Sequence, residues 1–200
     1  MSADIIIQQS FAKELCPYAA ELYDAAFSSK LSIAIPDAES RQTVLEKGFK
    51  PNFSFVALKN HQLVGIAGFK TIRGSLTGGI SFQLLRETIG IRRALRAITI
   101  LGLFQRKQLN NQLLMDGISV SGNMRGKGIG TKLLHKIIDY AKKERYRTIR
   151  LDVIDTNPAA FRLYERIGFV PVKTEQFTYL KWLLGFKAST QMVYRLKSNS

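Results

Sequence analysis

Cysteine, histidine and acidic residues are scarce in this chain. Cys16 is its one cysteine, so neither an internal disulfide nor a cysteine-rich zinc site can form. That lone thiol reads as a small buried hydrophobe, not a nucleophile. His61 and His135 are too few for a histidine cluster, and no metal site is expected. Only 15 acidic residues stand against 30 basic ones, and the resulting +15 charge attracts polyanions such as phosphates, nucleic acid or anionic lipid. No apolar run approaches the ~20 residues a membrane-spanning helix needs. The opening MSADIII lacks the basic segment of a signal peptide. Internal repeats, low-complexity tracts and linkers are also missing. The expectation is a soluble protein in a reducing, cytoplasmic setting, with membrane contact at most peripheral.

What is present suits a single domain over residues 1–200, because 46% hydrophobic content in 200 residues can bury a substantial core. Asp4 to Phe11 reads as a β-branched first strand, and Lys13 to Ser28 as a helix with Leu15, Ala19, Leu22 and Ala26 on one face. A short helix over Ala38 to Lys47 follows Pro36. Asn52 to Leu58 and Gln62 to Ile72 alternate as a hairpin about the Lys59–His61 turn. Residues 74–111 then form a long connection, which marks a segment that is functional or structured in its own right. Within it Ile91, Leu95, Ile98 and Leu101 repeat at helical spacing, with Arg92, Arg93 and Arg96 on the other side. Beyond Ile100 and Phe104 this helix turns apolar all round.

Leu113 to Val120 is the next strand, and it runs into SGNMRGKGIG ahead of an amphipathic helix over Thr131 to Lys143. A strand, a glycine turn and a helix N-terminus together make an anion site, since several N–H groups lack partners there and the helix dipole adds positive charge. Arg125 and Lys127 strengthen it. The plainer reading is a turn that merely connects the two elements. A Walker loop requires Ser or Thr after its lysine, whereas Lys127 precedes Gly128. A dinucleotide fingerprint requires G-x-G-x-x-G, and Gly126, Gly128 and Gly130 give G-x-G-x-G. Both motifs are set aside. Ile149 to Ile154 is another strand, and Asn157 caps a helix whose first residue is Pro158. Phe169 to Val172 and Met192 to Leu196 are the last strands, separated by the apolar and basic stretch Tyr179 to Lys187.

The segment NPAAFRLYERIGF, Asn157 to Phe169, combined with Arg125-x-x-Gly128-x-Gly130 at this distance, resembles the GNAT (GCN5-related N-acetyltransferase) superfamily. The resemblance covers about Leu113 to Val172. It implies a mixed α/β (α+β) fold: a mostly antiparallel sheet of about seven strands flanked by helices, with residues 74–111 as a helical insert before the fourth strand. It implies acetyl-CoA as acetyl donor, lying where the fourth and fifth strands splay apart. Ile118, Ser119 and Val120 match the stretch that meets the pantetheine arm, with the backbones of Ile118 and Val120 pairing to it. Arg125, Gly126, Lys127, Gly128, Ile129, Gly130 and Thr131 match the pyrophosphate loop. Asn157 matches a residue near the cofactor and is also a helix cap. Tyr164 matches the phenol that protonates the departing thiolate; its plainer reading is a core tyrosine.

Direct transfer to an amine also needs an oxyanion site, implied at the backbone N–H near Val120, and a base. Asp116 is the first candidate, placed by strand alternation on the face of Ile118 and Val120; a structural carboxylate is the competing reading. Asp152 is a weaker candidate, and a water relay is a third. The arginines of 74–111 disfavour a polycationic acceptor and favour an amine that carries an anionic group. Residues 74–111 and Tyr179 to Phe186 form a lid or homodimer surface, or else a peripheral membrane contact. A non-catalytic acyl-CoA or anion-binding module on a membrane or nucleic acid is the alternative function, though no specific nucleic-acid motif is present.

Overall fold

The computed structural model describes residues 4–103, 109–177 and 185–196. Strand β1 (Ile6–Gln9) pairs antiparallel with β2 (Ser54–Lys59), and β2 with β3 (Gln62–Thr71) across the expected tight turn. A short strand, β4 (Gly74–Ser75), folds back on the end of β3. On its other edge β3 pairs antiparallel with β5 (Gln112–Val120), and β5 runs parallel to β6 (Thr148–Ile154). Strands β7 (Val170–Gln176) and β8 (Ala188–Arg195) complete an eight-stranded sheet, in which β8 lies between β6 and β7. The strand beyond the expected seven is β4. Alternation in β6 is strict: Ile149, Leu151 and Val153 are buried and the residues between them less so.

Helices cover both faces. On one side α1 (Cys16–Ala34) and α2 (Ala38–Gly48) pack on Val56 and Ile66 of the sheet. On the other, α5 (Ile129–Lys143) presents Ile129, Leu133, Leu134, Ile137, Ile138 and Ala141 to the core at helical spacing, and α6 (Pro158–Ile167) packs beside it. The 74–111 segment supplies α3 (Phe82–Ile89) and α4 (Ile91–Leu103), which lie against α2 and α1.

The buried face of α4 is only partly the expected one: Ile98 and Leu101 pack against the core with two alanines beside them. Ala94 and Ala97 are buried, whereas Ile91 and Leu95 are 57% and 55% exposed. Two alanines on one stripe allow close helix approach, and that contact, with Ile98 and Leu101 packed beside it, orients the helix. Phe104, Arg106, Lys107 and most of Tyr179 to Phe186 lie outside the described residues.

Arg41 ties the first two helices together. Its Nε and Nη2 donate to Asp24 at 2.9 and 3.0 Å, and Nη1 donates to the carbonyls of Ile35 and Pro36 at 3.0 and 2.8 Å. Arg41 is only 8% exposed, so removing it strands a half-buried carboxylate and two carbonyls. Arg41→Leu is expected to lose ~3 kcal/mol, read as a lower midpoint in urea unfolding.

Candidate active site

The sheet opens between β5 and β6. Their ladder holds only at Gln112–Thr148, Leu113–Ile149 and Leu114–Arg150. Past Leu114 the strands diverge, which leaves the β6-facing edge of β5 from Met115 to Val120 without a strand partner among the described residues. An unpaired edge of this length is a template for an extended ligand. Ile118, Ser119 and Val120 lie on it; the Ser119 hydroxyl turns away and donates to the Leu22 carbonyl of α1 at 2.7 Å.

Where β5 ends, a short 3-10 turn over Gly122–Met124 leads into Arg125, and Arg125 Nε donates back to the Val120 carbonyl at 3.2 Å. Gly126 and Gly128 both take φ of 76°, a left-handed backbone that L side chains adopt at a cost of ~1–2 kcal/mol. Across these two turns none of the N–H groups of Gly126 to Thr131 meets an acceptor among the described residues. Ile129, 1% exposed, anchors the loop in the core. Gly130 packs under Leu163 of α6, so its role is helix packing. Lys127 Nζ lies 3.6 Å from Met124 Sδ. The result is a cradle of free donors at a helix N-terminus, with Arg125 and Lys127 beside it.

On the α5 side of the opening, Asn157 accepts from the Ala160 N–H at 3.1 Å and caps α6, while its side-chain amide stays exposed. Tyr164 is 6% exposed and its ring meets Phe169 at 5.8 Å. Its hydroxyl makes no hydrogen bond among the described residues, and burial pushes its pKa up to about 12. It is therefore a protonated, unengaged donor at neutral pH.

Asp116 lies on the other face, which corrects the expectation from strand alternation. Gly117 pairs with Gly68 and Met115 with Phe69, so Asp116 is the extra residue of a β-bulge. The bulge turns both Asp116 and Gly117 toward α1, while Ile118 and Val120 pack toward α5. Gly117, at φ 145°, lets the Phe27 ring lie against the strand; a Cβ there would sit 2.4 Å from it. Asp116 Oδ2 is buried without a partner. Burial raises its pKa to about 6, opposed by the charge of Lys70. Tyr23 is raised by its own burial and by Asp116.

Asp116 forms part of a pocket of about 440 Å³, roofed by Phe27, Leu31, Ile98 and Leu101. Lys70, Arg150 and Asp152 share its floor, and Arg150 Nη2 lies 3.6 Å from Asp152. Sequence reasoning passed over Lys70 and Arg150, because only the register brings them together. It also gave the arginines of α4 to the acceptor site. Arg92, Arg93 and Arg96 are exposed, and the side of α4 in the pocket is apolar.

A model of the Acetyltransferase (GNAT) family matches residues 17–169. The chain belongs to the GNAT family. GNAT acetyltransferases take their acetyl group from acetyl-CoA, and the free edge of β5 and the N–H cradle suit its pantetheine arm and pyrophosphate. Streptothricin acetyltransferase A of Bacillus subtilis is 35% identical over 65 residues, 32% of this chain and 38% of its own length. N-acetylaspartate synthetase of Danio rerio is 33% identical over 75 residues, 37% of this chain and 27% of its own. The first curated relatives are matched over only 30–38% of their own lengths. The fold extends further than the sequence similarity: yncA of Salmonella typhimurium, solved with acetyl-CoA, superposes with a TM-score of 0.56 at 18% identity, covering 98% of this chain and 96% of its own. Among the described residues no helix is long and apolar enough to cross a membrane, and no group of side chains is placed to hold a metal ion.

Proposed function

We propose that this protein transfers an acetyl group from acetyl-CoA to a primary amine by direct attack. One observation carries the reading: the edge of β5 that is free past Leu114 among the described residues runs into a cradle of free N–H donors, and the same strand holds Asp116, whose buried Oδ2 has no partner. The donor supplies an activated thioester, and everything else falls to the chain. The N–H groups of Gly126 to Thr131, with Arg125 and Lys127, hold the pyrophosphate. The edge of β5 at Ile118 to Val120 pairs with the pantetheine arm, and a backbone N–H near Val120 takes the oxyanion. Asp116 receives the proton of the attacking amine from the α1 face, with Asp152 as the weaker candidate. Tyr164 delivers a proton to the leaving thiolate from the α5 face. Asn157 fixes the first turn of α6, on which Tyr164 rides.

Thiol release from acetyl-CoA in the presence of primary amines tests the activity directly; release no faster than in the absence of amine would sink it. Tyr164→Phe keeps the buried ring and removes only the donor. Turnover is expected to fall ~100-fold with little change in acetyl-CoA affinity or melting temperature. Unchanged turnover would return Tyr164 to a packing role.

A second reading draws on α4, where exposed Ile91 and Leu95 lie on the same helix as Arg92, Arg93 and Arg96. A basic helix with apolar side chains in solvent suits peripheral contact with an anionic membrane surface. Sedimentation with anionic vesicles, compared with neutral ones, checks it.

A further inference from the structure

We infer that the amine acceptor is an amino acid, or a small amino-carboxylate of similar size, with an apolar side chain: Asp116 receives its amine, Arg150 and Lys70 its carboxylate. The inference rests on the acetyltransferase reading and specifies the acceptor.

The pairing register carries it. Lys70 of β3 pairs with Leu114 of β5, and Leu114 with Arg150 of β6, so the three form one transverse row at the closed end of the opening. With strands spaced by about 4.8 Å, Lys70 and Arg150 flank Leu114 on the floor of the pocket. The carboxylates of Asp116 and Asp152 stand beyond this row, toward the opening. Cations lie deep, and carboxylates lie nearer the donor.

These charges are incompletely matched. Arg150 is 17% exposed and its Nε is buried with no partner, although Nη2 approaches Asp152. Lys70 makes no hydrogen bond or ion pair among the described residues, and Asp116 Oδ2 has none either. Buried polar groups without partners are uncommon, and two of opposite sign, Asp116 Oδ2 and Arg150 Nε, around one cavity with the half-buried Lys70 beside them call for a ligand bearing both charges. A simple alkylamine leaves the cations unmatched. A polycation is repelled by them. The roof adds the third requirement: Phe27, Leu31, Ile98 and Leu101 form an apolar wall, with Tyr23, Ser75 and Thr77 the uncharged polar side chains of the lining, and about 440 Å³ suits a small molecule.

The test uses the intact protein and acetyl-CoA, with L-leucine, L-leucinamide, isoamylamine, glycine and O-phosphoethanolamine as acceptors. L-leucine is expected to exceed leucinamide and isoamylamine by at least ~100-fold in kcat/KM, since a site built to pair a polar group rejects analogues that lack it. Glycine is expected to fall behind by ~10-fold or more through the empty roof. Arg150→Gln should raise KM for leucine and erase its lead over leucinamide, and Arg150→Lys should restore part of that lead. Equal rates for leucine and its amide would overturn the inference while leaving the acetyltransferase reading intact. A lead for O-phosphoethanolamine would overturn it in favour of a phosphorylated amine. Turnover of none of the panel would reject this acceptor class; acetyl-CoA binding by calorimetry would then show whether the donor reading survives.

Discussion

Calorimetric titration of acetyl-CoA into Gly128→Glu is expected to show at least ~100-fold weaker binding than to the wild type. The reasoning starts from the backbone. Gly128 is the N-cap of α5, and an added Cβ there meets nothing within 4 Å, so a glutamate side chain has room. Its left-handed φ of 76° costs a residue with a side chain ~1–2 kcal/mol. Part of that loss is regained, because a carboxylate at a helix N-terminus is favourable and can accept the free N–H groups nearby. The variant should fold with a near-normal melting temperature. Its carboxylate, however, occupies the position of the pyrophosphate and repels it, and two charge-assisted interactions lost at ~1.5–3 kcal/mol each exceed a hundredfold. Gly128→Ala is the control: it shares the backbone strain and lacks the charge, so it should retain most of the affinity. Equal loss in both would assign the effect to loop geometry alone, and wild-type binding by the glutamate variant would remove the cradle from the donor site.

The geometry of that loop was legible in the sequence because it is written in consecutive residues. Positive φ at Gly126 and Gly128, free N–H groups up to Thr131 and the cap at Asn157 are local properties, and a string of residues displays local properties directly. The pocket proposed for the acceptor is the opposite case. Lys70, Leu114 and Arg150 are far apart in the chain and meet only through the register of two strand pairs. Asp116 shows how a one-residue irregularity defeats period-two reasoning: its bulge moves the carboxylate to the opposite face from Ile118. A strand has no sequence mark for such a bulge beyond a glycine beside it, here Gly117. The α4 helix was half legible for a different reason. Ile98 and Leu101 of its apolar stripe pack inward, but close packing through Ala94 and Ala97 turns Ile91 and Leu95 to the surface.

Asp116→Asn is expected to make the protein more stable and much less active. A carboxylate whose pKa rises from 3.8 to about 6 on folding is destabilising once ionised, by ~3 kcal/mol at full effect. The sign follows from proton binding: between about pH 4 and 6 the folded state holds a proton that the unfolded state has released, so stability falls as pH rises through that window and stays lower above it. The groups sharing the pocket with Asp116 are Lys70, whose charge opposes the shift, Tyr23, which stays neutral, and Arg150 and Asp152, which lie 3.6 Å from each other. Asparagine is never charged, so above pH 7 the variant should gain ~1–3 kcal/mol in urea unfolding, and its stability should lose this pH dependence. Activity should move the other way: turnover falls ~100-fold or more without the base, and a rise in kcat/KM with midpoint near pH 6 disappears. A second rise at higher pH, from deprotonation of the free amine, should persist in both proteins. A structural carboxylate predicts the reverse pairing, lower stability with turnover unchanged at equal folded fraction. A charge retained in a buried site at a cost to folding is accounted for by the reaction it serves.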